Sequence, residues 1–427
     1  MKVLGVIVEY NPFHNGHLYH IKSSKELVHP DYTVAVMSGS FTQRGEPAII
    51  DKFSRAEIAV QHGIDLVLEL PFVYATQDAG GFARGAVGVL HRINVVSDIV
   101  FGSESSDREF LIKTAEILHK QPWRYQEILH TKLKKGLSFP NARKEALLEY
   151  AKEIKLLDPD RIKNIERSND ILGVEYVRAL FQYGSNIEFH TIKRVGADYN
   201  EKEFKGNLSS ATAIRKLIRE GKWDLVREAV PEKSYEVIRR EISEGRGPVF
   251  WEELDLAYMT RFRLMKREDF SKIHGFVEGL DIRFEREVRK SGSLMEFIER
   301  LKTKRFTFTR LRRMMLHAFF GLTKEFMKDV NQKGPQYARI LAFNKRGRKL
   351  LKILKKKSEI PLISTPSLYR KILENSEIEI DSELYLKMFE MDTLSTDIHA
   401  LLFKKDFQRS GERDFKEKIR FIHTDPS

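Results

Sequence analysis

Short runs of β-branched and aliphatic residues alternate with amphipathic stretches through the first half of the chain, and this alternation predicts its elements. VLGVIV predicts a first strand, followed by a helix from about His17 and a second strand at YTVAVMSG. A helix over Arg55 to His62, the strand DLVLELP, a helix within FARGAVGVLHRI and the strand SDIVFGSE continue the order, which resumes at IEFHTIKR and a helix at SSATAIRKLIREGKW. A βαβα order means a parallel sheet, and strands that are apolar nearly throughout fit one covered on both faces, so the prediction is an α/β, doubly wound fold. Between residues 121 and 163 the pattern turns helical and highly charged, as a helical insertion would. After about Pro231 strand runs fade and amphipathic helical patterns with spaced glycines and prolines take over. We therefore expect two domains, residues 1–228 carrying the sheet and residues 229–427 forming a mostly α-helical C-terminal domain.

Composition narrows the chemistry. The 427 residues include no cysteine, which excludes a disulfide framework, a thiolate nucleophile and any cysteine-ligated zinc or iron-sulfur centre. A reducing, cytoplasmic location fits that usage. The apolar run Val3–Val8 stops at Glu9, too short for a secretory core or for the roughly 20 residues that cross a bilayer. No membrane partner is expected.

The densest chemistry lies at Glu9-Tyr10-Asn11-Pro12-Phe13-His14-Asn15-Gly16-His17, where the first strand hands over to the first helix. Ligands of an open α/β sheet bind beyond the strands' C-terminal ends, and the following helix offers unpaired N–H groups that favour an anion. His14 and His17, one helical turn apart, can set two imidazole donors on one phosphate, and Gly16 allows close backbone approach. Such donors suit attack on the α-phosphate of a nucleoside triphosphate with loss of pyrophosphate. Surface histidines at a helix start, or a metal site drawing on His14, His17 and His20, are the competing readings; no protein-held metal is expected. Farther along, Ser210 and Thr212 stand at a predicted helix start, suited to phosphate oxygens or to plain capping, with Arg215 and Lys216 behind them. Gln43-Arg44-Gly45-Glu46-Pro47 after the second strand reads as a loop over the pocket, with Arg44 a candidate carboxylate or phosphate clamp and Asp51 and Lys52 weaker candidates after it.

Charge is uneven. The formal net charge is +13, yet residues 301–357 hold 18 lysines and arginines against Glu325 and Asp329, a surplus of 16 in 57 residues. So local a field suits a polyanion, and Lys304, Arg305, Arg310, Arg312, Arg313, Lys345, Arg346 and Arg348 are its candidate contacts. Phe306, Phe308, Phe319 and Phe320 interleave with them at helical spacing, which favours core over base stacking. A basic amphipathic helix on a membrane surface is the alternative.

HNGH resembles the HxGH signature of the HIGH-motif nucleotidyltransferase superfamily, and Ser209-Ser210-Ala211-Thr212-Ala213-Ile214-Arg215 resembles its second, triphosphate-wrapping signature. MSGSFTQRGEPAIIDKFSRAE, LVLELPFVYATQDAGGFARGAV, IVFGSES, SNDILGVEYVRAL, IKRVGADYN and TKRFTFTRLRRMMLHAFFGL narrow the likeness, nearly end to end, to the bacterial tRNA(Met) cytidine acetate ligase family. The resemblance implies a Rossmann-like ATP-binding half and an RNA-binding half. It also implies a two-step ligase: acetate is activated with ATP as acetyl-adenylate, then the acetyl group passes to the exocyclic amine of the wobble cytidine of elongator tRNA(Met). Magnesium would arrive with the triphosphate. The family's ATP-binding positions fall on Ile7, Val8, Glu9, Tyr10, Asn11, Pro12, Phe13, His14, Asn15, Gly16, His17, Leu18, Tyr19 and His20, then Gly102, Asn169 and Arg194. Asn169 could instead cap the helix that follows it, and Arg194 could be a plain exposed arginine. An adenylyltransferase acting on a small phosphomonoester needs the same crevice but no basic half; an RNA-binding protein with a relic nucleotide fold needs no intact His14, Gly16 and His17.

Overall fold

The structure is a computed structural model that describes residues 1–155, 167–193, 209–277 and 279–423. Eight strands form one sheet: β1 (Val3–Val8), β2 (Tyr32–Ser38), β3 (Leu66–Leu70), β4 (Asp98–Ser103), β5 (Glu188–Lys193), β6 (Ala338–Phe343), β7 (Leu362–Ile363) and β8 (Arg420–Phe421). The order is β5-β4-β1-β2-β3-β6-β7, with β8 beside β6. Strands β1 to β5 run parallel, and their order turns back at β1, the switch point of a doubly wound sheet. The apolar runs predicted as strands are all strands, and most of their residues are buried.

Strand runs do not end at Pro231, as the sequence pattern suggested. Residues 338–343, within the segment assigned to the helical half, form β6, which pairs antiparallel with Leu66–Glu69 of β3. ARILAF was obscured by the charged helices on either side, and its strand character depends on a partner some 270 positions earlier. Apart from β6 and the two-residue strands β7 and β8 that pair with it, the regular elements of the second half are helical, and the helices Trp123–Lys134 and Phe139–Glu153 account for the described part of the charged insertion.

One apolar cluster fills each face of the sheet. Helices Ala79–Arg92 and Ser168–Gln182 contribute to one face; Asn15–Val28, Lys52–Gln61 and Ala211–Arg219 contribute to the other. Helix Ala211–Arg219 buries Ala213, Ile214, Leu217 and Ile218, one stripe at helical spacing, while its first turn stays at the strand ends. The first apolar cluster continues through the C-terminal helices, where Phe262, Phe270, Phe284 and Phe297 pack ring against ring.

Candidate active site

β1 pairs with β2 along its whole length, Val3↔Tyr32 to Val8↔Met37, but with β4 only at Leu4↔Asp98 and Gly5↔Ile99. Beyond Gly5 the two central strands part, and a cleft opens between their C-terminal ends. Val8, Glu9 and Asn11 line one side and Gly102 the other, with His14, Gly16 and His17 at its floor. The backbone turns sharply as it enters: Tyr10 adopts a left-handed φ of 48° and Asn11–Pro12 is cis. Ring contacts of Tyr10 with Phe13 (4.7 Å) and His17 (5.0 Å) hold that turn.

His14 caps the first helix. Its Nδ1 accepts from Gly16 N–H at 3.1 Å, and the His17 Nδ1 accepts from His14 N–H at 3.3 Å. With both Nδ1 atoms accepting, each neutral ring carries its proton on Nε2. The rings stack at 3.7 Å, so two N–H donors are fixed side by side at the cleft floor. Gly16 keeps that arrangement possible, because a Cβ there would lie 2.9 Å from His14 Cε1.

The loop after β2 forms a wall. Buried Arg55 ties the strand ends together through the carbonyls of Glu9 (2.6 Å), Ser38 (3.1 Å) and Gly39, and burial pulls its guanidinium down to about 10. Gln43 N–H donates to Glu9 Oε1 at 2.7 Å and Ile49 N–H to Asn11 Oδ1 at 2.8 Å, clipping the loop to the first turn. Arg215 donates to the Asn11 carbonyl (2.8 Å) and lies 3.4 Å from the Glu46 carboxylate, which also meets Arg312. Arg312 stacks on Trp251 and Phe308; burial, with Arg44 nearby, pulls it down to about 10. Gly45, at φ 72°, sits against the backbone of the helix Phe308–Phe320, where a Cβ would come within 2.8 Å of Arg313 N. The loop over the cleft thus rests on the C-terminal half.

On the far side, Phe82, Phe101, Leu172 and Tyr176 make an apolar wall beside Gly102 and Asn169. Asn169 is not the helix cap: the helix begins at Ser168, and Glu104 accepts from Asn169 N (3.1 Å), Asn169 Nδ2 (2.6 Å) and Asp170 N (3.0 Å). Asp170 in return accepts from Ser103 Oγ and from the N–H groups of Glu104 and Ser105, while burial raises its carboxyl above the ordinary range. This exchange fixes the strand end on which Gly102 sits.

The cleft therefore brings together Ile7, Val8, Glu9, Tyr10, Asn11, His14, Gly16, His17, Tyr19, His20, Gly102, Asn169, Ser210 and Thr212. Ser210 caps its helix, accepting from Ala213 N at 3.1 Å, and lines the cleft as well. Phe13 turns away to stack on His62 at 4.7 Å, Asn15 Nδ2 donates to the Glu228 carbonyl, and Leu18 packs into the core; none of these three, nor Pro12, lines the cleft. Arg194 lies outside the described residues. Asp51 caps helix Lys52–Gln61 and pairs with Arg413, and Lys52 is buried between Glu69 and Asp414, so both serve the scaffold.

Of the candidate polyanion contacts, Lys304, Lys345, Arg346 and Arg348 are exposed and Arg305 and Arg310 half-buried, whereas Arg312 and Arg313 turn toward the cleft loop. Phe306 and Phe320 are buried, as their spacing favoured. Gln43, Arg44 and Glu46 line the cleft, as a loop over the pocket should, but sequence reasoning missed the contacts of Gln43 and Glu46 and missed Phe101 and Tyr176 altogether, because these depend on chain segments far apart. Among the described residues, the His, Asp and Glu ligand atoms that converge in a group of three are those of Asp98, Glu188 and His190, at the opposite ends of the strands, where His190 Nε2 meets Asp98 Oδ1 at 2.8 Å. No helix among the described residues is long and apolar enough to cross a membrane.

A switch-point cleft floored by an HxGH turn defines a nucleotidyltransferase, and residues 1–414 match the family model described as HIGH Nucleotidyl Transferase. The tRNA(Met) cytidine acetate ligases of Thermotoga petrophila and Thermotoga maritima are each 54% identical over 418 residues, covering 98% of this chain and 100% of theirs. The crystal structure of Thermotoga maritima TmcAL (apo, form I) superposes with a TM-score of 0.98 at 54% identity over 99% of this chain and 100% of that one. Thermotoga maritima TmcAL bound with alpha-thio ATP (form II) superposes at 0.95. The chain belongs to the tRNA(Met) cytidine acetate ligase family.

Proposed function

We propose that this chain joins acetate to the N4 amine of the wobble cytidine of elongator tRNA(Met), consuming ATP and releasing pyrophosphate and AMP in the cytoplasm. The carrying observation is the pair of Nδ1-anchored imidazoles, which presents two Nε2–H donors where the α-phosphate of ATP would lie. An acetate oxygen attacks that phosphorus and pyrophosphate leaves, with His14 and His17 stabilising the charge that builds on the phosphate oxygens. Ser210, Thr212 and Arg215, at the start of helix Ala211–Arg219, receive the β- and γ-phosphates. Phe101, Tyr176 and Gly102 offer the adenosine a flat apolar berth, with Asn169 at its polar edge. Magnesium, expected with the triphosphate, would be held mainly by phosphate oxygens, because no group of three ligating side chains converges in the cleft among the described residues. The cytidine amine then attacks the acetyl carbon and AMP departs.

The catalytic residues fall within residues 1–228 and the polyanion field within 229–427, a division of labour on one continuous sheet. The exposed cations of the helix Lys345–Lys357, together with Lys304, suit the tRNA backbone. An adenylyltransferase for a small phosphomonoester has no use for that surface, and the similarity to acetate ligases over nearly the whole chain disfavours it. The test is incubation with ATP, labelled acetate and bulk tRNA. Acetate-dependent AMP formation with label entering tRNA is expected, and ATP turnover indifferent to acetate would overturn the reading.

A further inference from the structure

The cleft contains a carboxylate that phosphate chemistry does not explain. Glu9 follows directly on β1, past the point where β1 and β4 part, and it lines the cleft that also holds His14 and His17. Its Oε1 is fixed, accepting from Gln43 N–H at 2.7 Å and from Ser38 Oγ at 3.4 Å. No described residue donates a hydrogen bond to its Oε2, which is not fully buried, and the side chain lines the cleft. A carboxylate repels a triphosphate, so the phosphate chain of the reading proposed above belongs nearer His14, His17 and Ser210, even with the Arg55 guanidinium partly balancing Glu9. The group compatible with this oxygen is a neutral N–H donor arriving on the β2 side. A carboxylate is the natural partner of the cytosine 4-amino group.

We infer that Glu9 is a catalytic residue of the transfer step, accepting a hydrogen bond from the cytidine N4 amine and then its proton. This rests on the function proposed above. The nitrogen lone pair forms a bond to the acetyl carbon, the bond from that carbon to the phosphate oxygen breaks, and AMP leaves with the electron pair. The proton that the new amide nitrogen sheds passes to Glu9 Oε2 and on to solvent. One oxygen held by the loop and the other aimed at the reacting amine keep the base in place while the adenylate forms.

The test separates the two half-reactions in the full-length protein. Acetate-dependent ATP–pyrophosphate exchange reports adenylate formation, and a single-turnover chase of enzyme-bound acetyl-adenylate with tRNA reports transfer. Glu9→Gln keeps an oxygen for Gln43 N–H but cannot take a proton. Its transfer rate is expected to fall about a hundredfold, in the range for general-base removal, and at least tenfold further than its exchange rate. Glu9→Asp, which restores the carboxylate, is expected to recover part of the transfer loss. Equal loss of exchange and transfer, or transfer within tenfold of the unsubstituted protein, would overturn the assignment. If the unsubstituted protein shows no acetate-dependent exchange, it is the proposed function that fails, and the assignment with it.

Discussion

Replacing Lys52 with Met should cost this protein about 3–5 kcal/mol of stability, the penalty of leaving a buried charge uncompensated. The Lys52 ammonium is fully buried, 2.7 Å from a Glu69 oxygen and 3.0 Å from an Asp414 oxygen. Arg339, also buried, lies 3.2 Å from Glu69 and 2.7 Å from Asp414, so two cations balance two carboxylates. At an effective dielectric constant of about 20 each Lys52 contact is worth roughly 6 kcal/mol, and most of that offsets the removal of the charges from water. Methionine fills nearly the same volume, so the loss isolates the charge. With Lys52 gone, one cation faces two carboxylates, and Asp392, which burial already pushes up to about 8, loses the Lys52 charge that offsets Glu69. The network joins the C-terminal segment at Asp414 and strand β6 to the end of β3, so both halves should melt together. Urea unfolding followed by tryptophan fluorescence would measure the loss. The sign with pH is also fixed. Arg339 and Lys52 hold Asp414 below the usual carboxylate range despite its burial, so its contribution is present above the unfolded-state value and is lost as pH falls through the folded one. The variant relieves its excess negative charge by taking up a proton, so its deficit should narrow between pH 7 and pH 5. A loss under about 1 kcal/mol, or a deficit that widens on acidification, would refute the account of a desolvated four-charge network.

His14→Ala and His17→Ala should each abolish acetate-dependent ATP turnover while leaving tRNA binding within about twofold, read by pyrophosphate release and filter binding. Reversing Lys345, Arg348, Lys349 and Lys352 to Glu should do the opposite: tRNA affinity falls at least tenfold near 0.1 M salt, and the slope of log affinity against log salt shrinks by about one per lost phosphate contact. Reversing Arg312 or Arg313 would not make that test, because both pack against the cleft loop and would disturb the ATP step as well. Burial holds His317 at about 3 and His399 at about 4, where each meets a backbone carbonyl, so both are neutral in the fold while the unfolded chain takes up protons below about 6.5. Their contribution is therefore complete above pH 7 and declines on acidification, together by up to roughly 4 kcal/mol at pH 5. Urea unfolding at the two pH values checks this, and His399→Gln should remove about half of the difference.

Legibility in the sequence followed the range of the interactions involved. The HNGH turn was readable because its parts are local: a strand that ends, a helix that begins, and two imidazoles one turn apart. Ser210 was readable for the same reason, and it does both things its position allowed, capping its helix and lining the cleft. Phe101 and Tyr176 were not, because an apolar residue on a strand or a helix reads as core until the strand order places it at a switch point. Glu46 and Arg312, 266 positions apart, carry no local mark of their meeting, and as a run of charge Arg312 and Arg313 look like their exposed neighbours. The surplus of 16 charges in residues 301–357 is consequently larger on paper than on the surface, since Arg312, Arg313 and the fully buried Arg339 are spent inside. That internal use is what joins the two halves. Arg312 and Arg215 share Glu46, Arg215 holds the carbonyl of Asn11, and Asn11 anchors the loop at Ile49, so the HxGH turn is braced by a helix of the half that carries the basic surface. A basic module merely tethered to a nucleotide-binding fold would need none of these contacts. Their presence means that the phosphate site and the second half are built on the same two guanidinium groups, so that neither part keeps its local geometry without the other.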